Sequence, residues 1–286
     1  MKDILELIKK QRLFFDGGMG TCLQSEGLMP GEKPESWCIK KPDIIEKIHR
    51  EYFKAGANIV TTNTFGVNRD KFPDYEEIIS AAIYIAKKAT DGKEDRFVAF
   101  DIGPTGRLLK PLGDMDFEYC VELFAANIRC AAKHNPDLII IETMNDALET
   151  KAAVIAAKEN CRLPVFVTNA YDASGKLMTG ANPKAMIAML EGLGVDALGI
   201  NCSQGPDTMI DIAYEFARYS SLPIVVNPNA GLPKVRDGKT VYDLTPSDFA
   251  GYMKKIAEAG ATIVGGCCGT TPEYIKATVD VLSGVC

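Results

Sequence analysis

Three cysteines stand where side chains could do chemistry. Cys267 and Cys268 are adjacent in Gly265-Gly266-Cys267-Cys268-Gly269-Thr270, directly after the apolar run Ala261-Thr262-Ile263-Val264. Cys202 lies in Gly199-Ile200-Asn201-Cys202-Ser203. Three thiolates on one ion suit Zn2+, and three protein ligands leave a tetrahedral position open, the mark of a catalytic site. Zinc carrying three thiolates has a net charge of about −1, so it is a poor electrophile and would activate water little. A fourth sulfur behaves differently: a free thiol with a pKa near ~8.5 is mostly protonated at neutral pH, and coordination removes that proton. The set therefore suits making a substrate thiol nucleophilic for alkyl transfer.

Whether these sulfurs can meet depends on the elements that carry them. Neighbouring residues of a regular strand point to opposite faces, so the backbone at Cys267-Cys268 must leave strand geometry. Gly265, Gly266 and Gly269 permit that turn. Eight short apolar runs read as strands: Leu13-Phe15, Asn58-Thr62, Phe97-Asp101, Leu138-Ile141, Val165-Asn169, Ala197-Asn201, Ile224-Val226 and Thr262-Gly266. Helical patterns alternate with them, near Pro42-Ala55, Glu76-Ala89, Phe117-Lys133, Ala147-Asn160, Pro183-Leu193, Asp207-Tyr219, Pro246-Ala259 and Pro272-Leu282. A fragment recurs, Ala55-Gly56-Ala57-Asn58-Ile59-Val60 and Ala259-Gly260-Ala261-Thr262-Ile263-Val264, with a looser copy from Leu193. In each, a glycine past a helix end precedes a β-branched strand. Strict alternation implies a parallel sheet, and eight units in 286 residues fit a single-domain (β/α)8 TIM barrel over 1–286, with an open doubly wound sheet as the alternative. The longest connection, Gly17 to Lys41, is expected to be functional or disordered.

Barrel enzymes keep their chemistry at the C-terminal strand ends. Those ends carry Asp16, Asn63, Asp101, Glu142, Asn169, Asn201-Cys202, Asn227 with Asn229, and Cys267-Cys268. Strands six and eight flank strand seven, so the three sulfurs can converge on one rim. Asp and Asn at such places also serve as caps and turns, which accounts for Asp101, Asn169 and Asn227 as well as a site does. Asp16 and Glu142 could hold an ammonium group, and the backbone of Asp16-Gly17-Gly18-Met19-Gly20 could take a carboxylate. Together they suit an amino acid. His49 and His134 read as surface or helix-terminal groups, and a metal that deprotonates the nucleophile needs no histidine base. Cys120, Cys130 and Cys161 read as packing residues, Cys22 and Cys38 as candidates to approach the site, and Cys286 as inert. No lysine stands at a strand end, which ranks a lysine aldolase last.

The totals agree. A net charge of −6 with no basic run argues against a nucleic-acid partner. No apolar stretch nears the ~20 residues of a membrane span, and the N-terminus, a short amphipathic helix leading into a strand, lacks a signal-peptide core. Nine cysteines without a secretion signal point to a reducing cytoplasm.

These residues match a known family. DGGMGT (Asp16–Thr21), TTNTFG (Thr61–Gly66), DIGPTG (Asp101–Gly106), IETM (Ile141–Met144), GINCS (Gly199–Ser203), NPNAGLP (Asn227–Pro233) and GGCCGTTPEYI (Gly265–Ile275) occur in the family's order across nearly the whole chain. The sequence resembles the homocysteine S-methyltransferase domain, most of all the N-terminal homocysteine module of cobalamin-dependent methionine synthases. The resemblance implies zinc on Cys202, Cys267 and Cys268, with Asn229 as a displaceable fourth ligand. It implies that Asp16 and Glu142 hold the homocysteine amino group, and that Gly17, Gly18, Thr62, Asn63, Thr64 and Phe65 line the amino-acid pocket. The full synthases continue into folate- and cobalamin-binding modules for which these 286 residues have no room. The expected function is zinc-dependent methylation of homocysteine to methionine, with methylcobalamin carried by a separate corrinoid protein. The alternatives are another thiol or selenol acceptor, a small donor such as S-methylmethionine or betaine, and a non-catalytic zinc-binding subunit of a corrinoid assembly.

Overall fold

The computed structural model describes residues 3–236 and 239–284; Cys286 lies outside them. Eight parallel strands form the barrel: Leu13–Phe14 (β1), Ile59–Thr61 (β2), Phe97–Ile102 (β3), Leu138–Met144 (β4), Val165–Asn169 (β5), Ala197–Asn201 (β6), Ile224–Asn227 (β7) and Ile263–Val264 (β8). Their order runs β1-β8-β7-β6-β5-β4-β3-β2, and a parallel bridge between Phe15 and Ile59 joins the two ends. This is the (β/α)8 barrel that the alternating pattern implies.

Strand periodicity sorts the apolar side chains into two cores. Ile59 and Phe97 belong to a cluster inside the barrel with Phe15, Ile140 and Phe166, while Val60 and Val98 belong to the larger cluster under the helices. The helix Ile4–Ile8 plugs the interior with Ile4 and Ile8, and Asp3 starts it by accepting the N–H groups of Leu5 and Glu6. Burying each of those isoleucines contributes about 1.5–3 kcal/mol. Proline occupies the first turn of the helices Pro42–Lys54, Pro183–Gly192, Pro206–Tyr219, Pro246–Glu258 and Pro272–Leu282, where its missing N–H costs nothing. The repeated fragment keeps its glycines at positive φ, +103° at Gly56 and +118° at Gly260.

Three features differ from the sequence reading. The first concerns only one of two alternatives: the long first connection, expected to be functional or disordered, is ordered and lines the cavity described below, forming the helix Met19–Ser25, a 3-10 turn Pro34–Ser36 and the helix Trp37–Lys40, anchored by buried Trp37 and Cys38. An antiparallel hairpin, Lys234–Arg236 with Lys239–Val241, follows β7 where the pattern suggested only loop. His49 is not on the surface. It is fully buried on the inner face of Pro42–Lys54 with Ile45, Ile48, Tyr52 and Phe53, and neither ring nitrogen has a hydrogen-bond partner. Burial lowers its pKa to about 4, so the ring stays neutral. Among the described residues no helix is long and apolar enough to cross a membrane.

Candidate active site

The barrel brings the three predicted sulfurs together. Those of Cys202, Cys267 and Cys268 lie within 4.8 Å of one another, the one cluster of potential metal ligands found among the described residues. Cys202 leaves β6 with φ +55°, and Ser203 follows at +51°. Left-handed backbone at a non-glycine residue costs about 1–3 kcal/mol and gathers at functional sites. Here it turns the chain away from strand geometry at the sulfur-bearing residue. Cys202 N–H donates to Asn227 C=O at 3.1 Å, and Cys267 N–H to Pro228 C=O at 2.8 Å. The connection after β7 therefore spaces the other two sulfur-bearing segments.

The glycines around the adjacent pair act in different ways. Gly269 takes φ +83°, and a Cβ there would run into the ring of Tyr242. At Gly266 the constraint is closeness, because a Cβ would collide with the Thr270 side chain. Thr270 in turn holds Cys267 C=O through its N–H at 3.2 Å and its hydroxyl at 2.7 Å.

The donor set fits a metal. A tetrahedral zinc with Zn–S near ~2.3 Å separates its sulfurs by about 3.8 Å, within the observed limit. Protonation points the same way. Hydrogen bonds from Cys267 and then Cys268 pull the Cys202 thiol down to about 3, opposed by burial. The interaction with Cys202 drives Cys267 well up and Cys268 to about 12. The clustered sulfurs thus favour thiolate at Cys202, negative charge that a divalent ion would neutralise.

The sulfurs open onto a cavity of about 510 Å³. Asp16, Gly17, Gly18, Thr62, Asn63, Phe65 and Glu142 all line it, as do Asp101, Thr143, Asn227 and Tyr242. Asp16 is 2% exposed, and its Oδ2 accepts Thr61 N–H at 2.8 Å. Burial raises it well above the usual carboxylate range, Glu142 adds to the rise, and the Thr61 bonds oppose it. Glu142 accepts from Asn201 Nδ2 at 3.1 Å; burial, then the charge of Cys202, lifts it to about 8. Asn201 also donates to Thr143 Oγ1 at 2.7 Å and accepts Thr143 N–H at 2.9 Å, fixing Thr143 at φ +58° beside Glu142.

Not every predicted lining residue offers a polar group to the cavity. The Gly18 N–H is spent on Thr270 C=O at 2.9 Å; a Cβ at Gly18 would lie 2.7 Å from Cys267 C=O, so its role is to let the chain pass close. Asn63 lines the cavity but donates to Pro34 C=O at 2.8 Å. Thr64 is buried behind the wall, its hydroxyl on Asp101 C=O at 2.8 Å. Phe65 stands 39% exposed, its ring occupying the space a side chain at Gly103 would need. Asn229 Oδ1 accepts Cys268 N–H at 3.0 Å, and its side chain lies beside Cys202. Cys22 and Cys38 do not reach the site: Cys22 contacts Tyr52 Oη at 3.3 Å and Cys38 donates to Asn63 C=O at 3.5 Å, with burial raising them to about 11 and 12. Cys120 and Cys130 are buried in the helical shell and Cys161 packs at its edge.

The sequence reading left Asp101 undecided between cap and site, and it did not single out Tyr242. Asp101 carried a usable signal, a carboxylate at a barrel strand end. Tyr242 carried none, because the hairpin that delivers it was unforeseen.

The family model for homocysteine S-methyltransferases matches residues 13–282. This chain belongs to that family. Among curated relatives, the methionine synthase of Mycobacterium leprae is 33% identical over 296 residues, covering 96% of this chain and 24% of its own length. That of Mycobacterium tuberculosis is 32% identical over 305 residues, covering 99% and 26%. The chain thus spans about a quarter of these relatives. Among solved structures, the metallated form of the homocysteine methyltransferase MmuM from Escherichia coli superposes with TM-score 0.82 at 24% identity, over 96% of this chain and 97% of that one. Its apo form gives 0.78. At this identity the likeness speaks for the fold. In this family member, then, a methyltransferase barrel presents a thiol cluster and a set of carboxylates to one cavity.

Proposed function

We propose that the protein is a zinc-dependent homocysteine S-methyltransferase that forms methionine. The observation that carries the reading is the juxtaposition of three clustered sulfurs with Asp16 and Glu142 on the wall of a single cavity. The sulfurs suit the thiol end of the acceptor and the carboxylates its amino end. Zinc held by Cys202, Cys267 and Cys268 would lower the pKa of an incoming thiol and so supply the nucleophile. Asn229 would hold the fourth place until the acceptor arrives, through the lone pair that Cys268 N–H leaves free. Asp16 and Glu142 hold the ammonium group, and the turn Gly17–Gly20 faces the acceptor's carboxylate. Thr62, Asn63, Thr64 and Phe65 shape the wall between them. No basic side chain is required to take the thiol proton.

We assign the methyl donor to a methylated corrinoid protein, a reading supported by the likeness to relatives named as methionine synthases. The eight described cysteines are all free, which suits a reducing cytoplasm. The test is a donor screen with metal-loaded protein and homocysteine, reading methionine by mass spectrometry. Methylcobalamin is expected to support turnover above S-methylmethionine, betaine and methylfolate. Metal binding without methionine from any donor would instead leave a non-catalytic subunit.

A further inference from the structure

Asp101 has no task in the reading above, yet it is placed as if it had one. It is 4% exposed and lines the cavity, and its Oδ1 has no hydrogen-bond partner. Its backbone is held from both sides. Thr62 Oγ1 accepts Asp101 N–H at 3.0 Å, Thr64 Oγ1 donates to Asp101 C=O at 2.8 Å, and the two hydroxyls bond each other at 2.7 Å. Since Thr64 gives its proton to the carbonyl, Thr62 must donate to Thr64, and the ring closes without using the carboxylate. The two threonines of the Thr61-Thr62-Asn63-Thr64 motif thus fix Asp101 and leave its side chain unengaged. Asn227 Oδ1, in a residue 4% exposed and also lining the cavity, is a second buried acceptor without a donor. With Asp16 and Glu142, the wall is rich in acceptors and poor in donors, the complement of a group with several N–H bonds and a positive charge.

We infer that Asp101 is a further acceptor for the ammonium group of the thiol substrate and sets the site's preference for an amino-bearing acceptor. The inference rests on the proposed acceptor chemistry and adds a specificity residue to it. An ammonium brings three donors. Asp101 gives the substrate amine a partner on β3, besides Asp16 just after β1 and Glu142 on β4.

The test compares two ligands on metal-loaded protein by calorimetry: homocysteine, and 4-mercaptobutyrate, which keeps the thiol and carboxylate but lacks the amine. Wild-type protein is expected to bind homocysteine much the more tightly. Asp101→Asn should weaken homocysteine at least tenfold and change 4-mercaptobutyrate less than twofold, with metal content unaltered. Asp101→Ser is read the same way if the amide folds poorly. Wild-type protein that preferred homocysteine, with variants that kept the whole preference or lost both ligands equally, would overturn the role of Asp101 alone. No preference in the wild type would overturn the homocysteine reading and this inference together.

Discussion

At the rim of the cavity three sulfurs crowd together, Cys202 favoured as thiolate by its two neighbours, and Cys268 is exposed. On its inner wall Asp16 and Asp101 are almost wholly buried, and with Glu142 they meet only scattered donors from Thr61 and Asn201. Both regions hold more acid than the protein itself neutralises, and they differ in what can neutralise them. Clustered soft sulfurs at an accessible edge suit a metal ion that must accept an outside ligand. Buried carboxyl groups suit an N–H-bearing cation, which can satisfy oxygen atoms that water no longer reaches. One ligand with a thiol at one end and an amine at the other would serve both regions at once, and their separation is a ruler for its length.

Each region can be broken alone. The largest effect is expected from Cys267→Ala, which should drop bound zinc from about one per chain toward none and abolish methyl transfer, while an ammonium-bearing ligand without a thiol binds as before. Retained metal in that variant, measured by plasma emission, would count against a shared ion. Glu142→Gln comes next. It should keep the metal and lose about 2–5 kcal/mol of transition-state stabilisation with homocysteine, the range for truncating one partner of a buried charge pair. Steady-state kinetics with metal content in parallel separate the two regions.

The same variant carries a pH signature. Glu142 titrates near 8 in the fold and near ~4.3 unfolded, so between those values the native state binds the extra proton. Stability of the acceptor-free protein should therefore fall as pH rises from about 4.5 to 8. Asp16 and Asp101, also raised, add to the slope. Urea titrations at pH 5 and pH 8 check it, and Glu142→Gln should flatten the difference. Thr64→Val should cost about 1–3 kcal/mol in stability by leaving Asp101 C=O without its donor, with a secondary loss of selectivity for amino-bearing thiols. The smallest effect is expected from Tyr242→Phe. Its hydroxyl lies beside Cys268, so zinc competition with a chelator should show a loss of at most about 1.5 kcal/mol and no change in fold.

The two regions were also unequally legible in the sequence. Every barrel strand announced itself as a short apolar run, and once the barrel was assumed, Cys202 and Cys267-Cys268 could converge, because strands six and eight flank seven. Asp16 and Glu142 were legible as acids at strand ends. Asp101 carried the same signal but stayed undecided, because an Asp at the end of an apolar run is also the ordinary way to start a turn. What separates the two roles is the grip of the Thr62 and Thr64 hydroxyls, just after β2, on the Asp101 backbone in β3, a contact that sequence spacing does not reveal. The hairpin and Tyr242 were missed because charge and glycine mark turns without saying that two segments pair. His49 was misread although its position held the answer: 45, 48, 49, 52 and 53 form one helical stripe, and periodicity outweighed the polarity of the ring.

The most direct test is zinc X-ray absorption on the metal-loaded protein before and after homocysteine. Three sulfurs and one lighter donor should become four sulfurs, with loss of the signal in the Cys202→Ala, Cys267→Ala and Cys268→Ala variants. A shell with fewer than three sulfurs, or one that homocysteine leaves unchanged, would contradict the account.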